Sequence, residues 1–289
     1  MPSNEIRQIW LPPKGGLDTA TDSILLEPTS LSIASNSEYE QHGGRLRRGG
    51  TVRYNAIQAT ISGTAATISA MADFWLFATN SNNATQSFVI VASTQSSGAI
   101  YAGAADGSLT LLRAPWGAAG RRTSIRIAQG LAVISDGVDV VQAWDQVNIA
   151  TLSICMPNFE TCVYHLRRLW YWGVAATITS SSSVSYTAGG NIQDATGSDS
   201  GTFIFDENDG DRVIGVSEPW RERLLIFKGP NKGSVHQIGG TTPTTFTKGV
   251  VFRQAAPAVA AAGIITTAND IYWISKYGFH SLQATAKYG

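Results

Sequence analysis

Helical periodicity is almost absent from this chain, and short alternating runs take its place. Four of them read alike: QSFVIVASTQSSGAIYAG from Gln86, QGLAVISDGVDVVQAW from Gln129, ERLLIFKGPNKGSVHQI from Glu222 and NDIYWISKYGFHSL from Asn269. Each has a polar lead-in, four or five apolar residues, a turn with Gly, and a second alternating strand. That is the pattern of a β-hairpin. RRLWYWGVAATITSSSSVSYT, from Arg167, is a longer version of the unit. A lone hairpin is marginal in water and has to pack on others. Recurrence at roughly 40–55 residues is the spacing of propeller blades; a β-sandwich is the other architecture the runs fit.

The expectation is therefore an all-β fold, a β-propeller-like array of hairpins and four-stranded blades. Hairpins are expected around Ala92–Gly98, Asp136–Gly137, Gly229–Gly233 and Lys276–Gly278. The core is expected at Leu131, Val133, Leu169, Tyr171, Leu225, Phe227, Ile271 and Trp273. Several strands are apolar on both parities, which fits burial between neighbouring blades.

Residues 1–55 differ. They hold Pro-Pro, three Gly-Gly pairs and few strand-like runs, and read as an extended N-terminal arm preceding a propeller-like domain over 56–289. Leu26 to Asn36 has room for a turn or two of helix, against which its Ser, Thr and Pro count. Residues 176–202, rich in Ser, Thr and Gly, read as a flexible insertion or as wide surface loops.

Lys+Arg and Asp+Glu balance at 21 each in 289 residues, and only 15% of residues are charged. A freestanding nucleic-acid binder usually shows a basic excess; neutrality leaves open DNA passing through a protein-lined channel. The N-terminus has no apolar core of signal-peptide type, and no run reaches transmembrane length. The reading is a soluble protein made in the cytoplasm, with Cys155 and Cys162 as buried free thiols.

Two stretches invite chemistry. FDENDGD, from Phe205, carries four acids. Counted from Asp206 as an EF-hand loop, the sixth position is Asp211 instead of Gly and the twelfth is Ser217, so the ligand geometry fails. A tight turn at Asn208, Asp209 and Gly210 suits it better. GPNKGS, from Gly229, has the Lys-Gly order of a Walker loop reversed, and a strand-like run follows where a helix is needed. The stretch reads as strands Arg212–Val216, Arg223–Phe227 and Ser234–Ile238 with turns between.

Cys155, Cys162 and His165 lack zinc spacing and a fourth ligand. Among four histidines and no G-x-S-x-G there is no triad signature. The turn of propeller glycosidases, Ser-x-Asp-x-Gly-x-x-Trp, is matched only loosely by ISDGVDVVQAW. These readings give no enzyme, no cofactor and no metal. Trp170 and Trp172 share one strand face, either as a sugar platform or as core. Arg45, Arg47, Arg48 and Arg53 form one basic patch, and Arg121, Arg122 and Arg126 another. Such patches meet DNA phosphates or acids of a neighbouring subunit, or are solvated faces.

The N-terminal GGLDTATDSILLEPTSLSIASNSEYEQHGGRLRRGGTVRY is similar to the opening of tail-nozzle (tail tubular protein B-like) β-propeller proteins of short-tailed bacteriophages. The counterparts are Gly15 to Asp18, Leu26-Glu27-Pro28, Asn36 and Gly44 to Gly49. In order along the chain, LAVISDGVDVVQAW, HLRRLWYWGV, DGDRVIGVSEPWRERLLIFK and NDIYWISKYGFHSLQATAKYG resemble the family's later units. The family carries more sequence after the last unit, so the resemblance implies a shortened form or a domain that continues past Gly289.

The resemblance implies a structural tail component, part of a nozzle or neck ring. It would form a six-fold ring, meet the portal-adaptor ring and tail fibres, and give a conduit for DNA during retention and ejection, with the virion tail as its location. Arg45, Arg47, Arg48, Arg53, Arg121 and Arg122 are the expected subunit or adaptor interface. A glycan- or fibre-binding phage propeller module is the alternative.

Overall fold

The computed structural model describes residues 16–17, 30–31, 37–39, 45–47, 60–61, 64–77, 84–93, 97–104, 108–117, 121–174, 181–253 and 256–283. The chain divides into two compact units, Met1–Tyr54 and Asn55–Gly289. In the first, β1 (Gly16–Leu17) pairs in parallel with β2 (Ser30–Leu31), and β3 (Ser37–Tyr39) pairs antiparallel with β4 (Arg45–Arg47). The possible helix over Leu26–Asn36 lies outside the described residues except at β2.

The second unit opens with a small pair, β5 (Thr60–Ile61) and β6 (Thr64–Ala65). Five antiparallel sheets follow, each a meander in chain order. Sheet one is β7 (Thr67–Phe77), β8 (Ala84–Ser93), β9 (Gly98–Gly103) and β10 (Leu109–Arg113). Sheet two is β11 (Ser124–Ala128), β12 (Leu131–Ser135), β13 (Gln142–Trp144) and β14 (Ile149–Thr151). Sheet three is β15 (Thr161–His165), β16 (Arg168–Trp172), β17 (Ser183–Tyr186) and β18 (Gly201–Ile204). Sheet four is β19 (Arg212–Val216), β20 (Leu224–Gly229), β21 (Ser234–Gly239) and β22 (Thr247–Arg253). Sheet five is β23 (Ile264–Thr266), β24 (Ile271–Ser275) and β25 (Gly278–Ser281), preceded by a 3-10 turn, η1 (Ala261–Gly263).

This is the blade architecture of a β-propeller, and the four expected hairpins join β8–β9, β12–β13, β20–β21 and β24–β25. Strands buried on both faces follow from the stacking of sheets. Trp170 and Trp172 on β16 pack toward sheet four with Val213, Leu224 and Ile226, while Leu169 and Tyr171 pack toward sheet two with Val133 and Ala143. Phe74, Val89 and Ile100 join sheet one to Ile134 and Trp144 of sheet two. Leu225 and Phe227 join sheet four to Ile271 and Trp273 of sheet five. Of the expected core residues only Leu131 is half-buried, because it opens β12 at the sheet's end, directly after a two-residue turn.

Two further expectations are corrected. Strand β20 starts at Leu224, because Arg223 is held in a bridge with Trp220 across a turn whose central residues, Arg221 and Glu222, have φ of 49° and 62°. The Ser/Thr/Gly-rich stretch contains strand β17, and its loop is anchored. Buried Arg168 donates to the Thr187 and Asp199 carbonyls and to the Asp199 carboxylate, at 2.8, 2.6 and 2.8 Å.

The first strands form the inner wall, with β11 lying against β7 and β15. Strand alternation then defines two ends. The crossover end carries the sheet-to-sheet connections and the loops between second and third strands. The opposite end carries the remaining loops.

Candidate functional site

The acidic stretch and the Gly-rich stretch satisfy each other. The carboxylate of Asp211 accepts the backbone N–H groups of Asn231, Lys232 and Gly233 at 2.7, 3.0 and 2.7 Å. The GPNKG turn therefore does cradle an anion, with Gly233 at φ 69°, but the anion is a side chain of the same sheet. The acidic turn likewise encloses a cation. Lys228, whose side chain is fully buried, donates to the Phe205 and Asp206 carbonyls and to Asp209 Oδ1, each at 2.8 Å. An ammonium thus occupies the acidic turn, and among the described residues no group of His, Cys, Asp or Glu is placed to hold a metal.

Two Ser–His pairs emerge that the sequence did not single out. Ser234 Oγ lies 2.8 Å from His236 Nε2, and Ser275 Oγ lies 2.8 Å from His280 Nε2. In the first pair Asp206 approaches the same ring nitrogen, at 3.6 Å, instead of the opposite one as a triad requires. Burial holds His236 below the ordinary imidazole value; Asp206 opposes this, and Lys228 and Arg253 reinforce it. Both serines are buried within the sheets.

Among the described residues, a concavity lies along the inner wall. One cavity, of about 250 Å³, is lined by residues of sheets two, three and four and by Val259 to Ala261, including Arg121, Arg122, Asp136, Glu160 and Arg212. A second, of about 280 Å³, is lined by Arg122 to Arg126, Trp172, Glu218 and Ile264 among others. They share Arg122, Thr161 and Ala261. The wall is largely self-neutralised: Arg121 meets Asp136 at 3.3 Å and Asp139 at 3.0 Å, Arg212 meets Glu160 at 2.9 Å, and Arg126 meets Glu218 at 2.9 Å. The last pair links sheet two to sheet four. Beside it, burial pushes the Cys162 thiol up to about 12, with Arg126 pulling against the shift and Glu218 adding to it. Cys155, expected to be buried, is exposed instead, because it stands in the β14–β15 connection outside the stacked sheets.

Arg121 and Arg122 are therefore brought together with Arg126 in the axial wall. Arg45 and Arg47 fall on β4, where only the backbone is described, and Arg48 and Arg53 lie outside the described residues. Arg212, Glu160 and Glu218 were missed as wall residues, since only the inner position of strands β15 and β19 gives them that role. Trp170 and Trp172 are buried and offer no sugar platform.

Exposed hydrophobics are distributed unevenly. Among the described residues, six large exposed ones stand in connections: Val138, Val140, Val147, Ile154, Val259 and Tyr277. All but Val147 are at the crossover end, the end that carries Arg121 and Arg122.

The fold and wall thus define a propeller-like β body with an internally paired axial cavity. No family model matches the chain, and no curated protein matches it. Similar solved structures include a virginiamycin B lyase from Staphylococcus aureus, at 12% identity over 73% of this chain and 74% of that one, with a TM-score of 0.44. BamB from Moraxella catarrhalis is 13% identical over 68% of this chain and 53% of that one, TM-score 0.39. A quinonprotein alcohol dehydrogenase-like protein from Bacteroides thetaiotaomicron is 14% identical over 73% and 50%, TM-score 0.40. The chain spans about half the length of the latter two.

Proposed function

We propose that the chain is a structural ring subunit of a short-tailed bacteriophage tail, at the nozzle or neck, working through protein contacts and not through catalysis. The resemblance in sequence supplies the tail. Its four later motifs each include the second strand of a successive sheet, β12, β16, β20 and β24, so they are elements of the scaffold. The observation that carries an assembly role is the crowding of exposed Val138, Val140, Ile154, Val259 and Tyr277 at the end that bears Arg121 and Arg122. Exposed apolar side chains at one end, beside Arg122, unpaired among the described residues, suit a protein interface.

In this reading DNA passes through a lumen enclosed by several copies. The axial cavity of one copy is bridged by Arg126 and Glu218, and at about 280 Å³ it is far too small for a duplex whose major groove alone is about 12 Å wide. The partners are further copies in a six-fold ring, the portal-adaptor ring and tail fibres, with Arg45, Arg47, Arg48 and Arg53 as further interface residues.

Light scattering of the chain mixed with adaptor rings tests the proposal. The wild-type protein should enter a ring-sized assembly. Ile154→Asp, a change at a side chain 95% exposed, should leave folding intact and block entry. A wild-type chain that stays monomeric beside adaptor rings would contradict the assignment.

A further inference from the structure

The two axial cavities have a surplus of donors at their junction. The first is lined by Arg121, Arg122 and Arg212 against the carboxylates of Asp136 and Glu160, and the second by Arg122 and Arg126 against Glu218. Arg122 lines both cavities, and alone of these four arginines it has no carboxylate partner among the described residues. The wall acids near Arg121 are already engaged elsewhere as well. Asp136 accepts the N–H groups of Val138 and Asp139, and Asp139 accepts that of Gly117.

Neutral donors add to the surplus. Ser124 Oγ and Thr161 Oγ1 lie 2.6 Å apart and share one hydrogen bond, which leaves a second hydroxyl proton. Trp172 lines the second cavity, and its buried indole N–H has no acceptor among the described residues. A buried donor left unmade is costly, and a guanidinium fork matches the oxygens of a carboxylate or phosphate.

We propose that the cavity junction at Arg122 is a binding site for a small oxyanion, with inorganic phosphate as its simplest form. Arg122 supplies the charge and the fork, and the Ser124–Thr161 hydroxyl pair and the Trp172 indole supply neutral donors. The site is distinct from the tail assignment and does not rest on it. It is a pocket in the wall of one copy, open to solvent at the exposed Arg122 and too small for a nucleic-acid duplex.

Titration calorimetry of the full chain with inorganic phosphate, at fixed ionic strength balanced with chloride, tests it. One phosphate per chain should bind. Arg122→Gln should weaken binding about tenfold or more, the size of a lost charge-assisted hydrogen bond. Arg167→Gln, at an exposed arginine of the opposite end, should leave binding within about twofold. Thermal midpoints give a second readout: phosphate should raise that of the wild-type chain and not that of Arg122→Gln. Absence of binding, binding unchanged in Arg122→Gln, or equal weakening by Arg167→Gln would each overturn the proposal. The experiment uses the isolated chain, so its failure leaves ring assembly untouched.

Discussion

Lys228→Met should be among the most damaging single substitutions in the protein. The side chain of Lys228 is fully buried at the end of β20, and its ammonium makes three bonds of 2.8 Å, to two carbonyls and to Asp209. Methionine preserves most of the volume and removes the charge. Asp209 then loses its counter-ion, and the Phe205 and Asp206 carbonyls lose a donor. Removing one partner of a buried pair costs about 3–5 kcal/mol. Asp209 is 23% exposed, so water recovers part of that, and about 3 kcal/mol is the working figure. For a domain of this size that lowers the melting midpoint by about 6–12 °C. Urea unfolding followed by tryptophan fluorescence measures it, with Lys232→Met as the control. Lys232 is exposed in the neighbouring turn, and its change should stay within about 0.5 kcal/mol. A loss below about 1 kcal/mol for Lys228→Met would show that the acidic turn does not depend on the ammonium and would refute the reasoning.

Further outcomes are expected. Burial holds both His165 and His236 below the ordinary imidazole value. As pH falls below about 6.5, the unfolded chain takes up protons before the folded one, so stability should decline from there until the folded values are passed; a urea midpoint flat across that window would contradict it. Cys155 is exposed and Cys162 is buried, its thiol pushed up to about 12, so a thiol reagent should label one cysteine quickly and the second only on unfolding. Leu225→Ala should cost about 2–5 kcal/mol, since Leu225 is buried between sheets four and five; a surface-like loss in urea unfolding would mean that its strand faces the other way.

The hairpins were legible because period-two alternation and turn residues are local signals. The β12–β13 turn at Asp136–Gly137 and the β20–β21 turn at Gly229–Gly233 can be read from a few neighbours. Burial on both faces of β16 was legible for the same reason, because Leu169 to Trp172 are apolar on both parities. Other features depend on distant partners. The union of Asp211 with Asn231–Gly233 spans about twenty residues of chain and two intervening strands, β19 and β20. Lys228 directly follows the expected strand Arg223–Phe227, and nothing local in the sequence shows that the acidic turn closes over it. The turn at Leu166 and Arg167, with φ of 51° and 59°, lacks the Gly or Asn that usually marks this geometry. The axial wall was least legible, because Arg126 meets Glu218, and Arg212 meets Glu160, only once three sheets are stacked.

In the proposed tail assembly, copies of this chain join into a ring through the crossover end. Electron microscopy of the chain assembled with adaptor rings tests it most directly, at a resolution that places a β-body of this size. A six-fold ring is expected, in which the end carrying Ile154, Val138 and Arg122 faces a neighbouring copy or the adaptor. Particles in which that end points into open solvent, or a chain that never joins a ring, would contradict it.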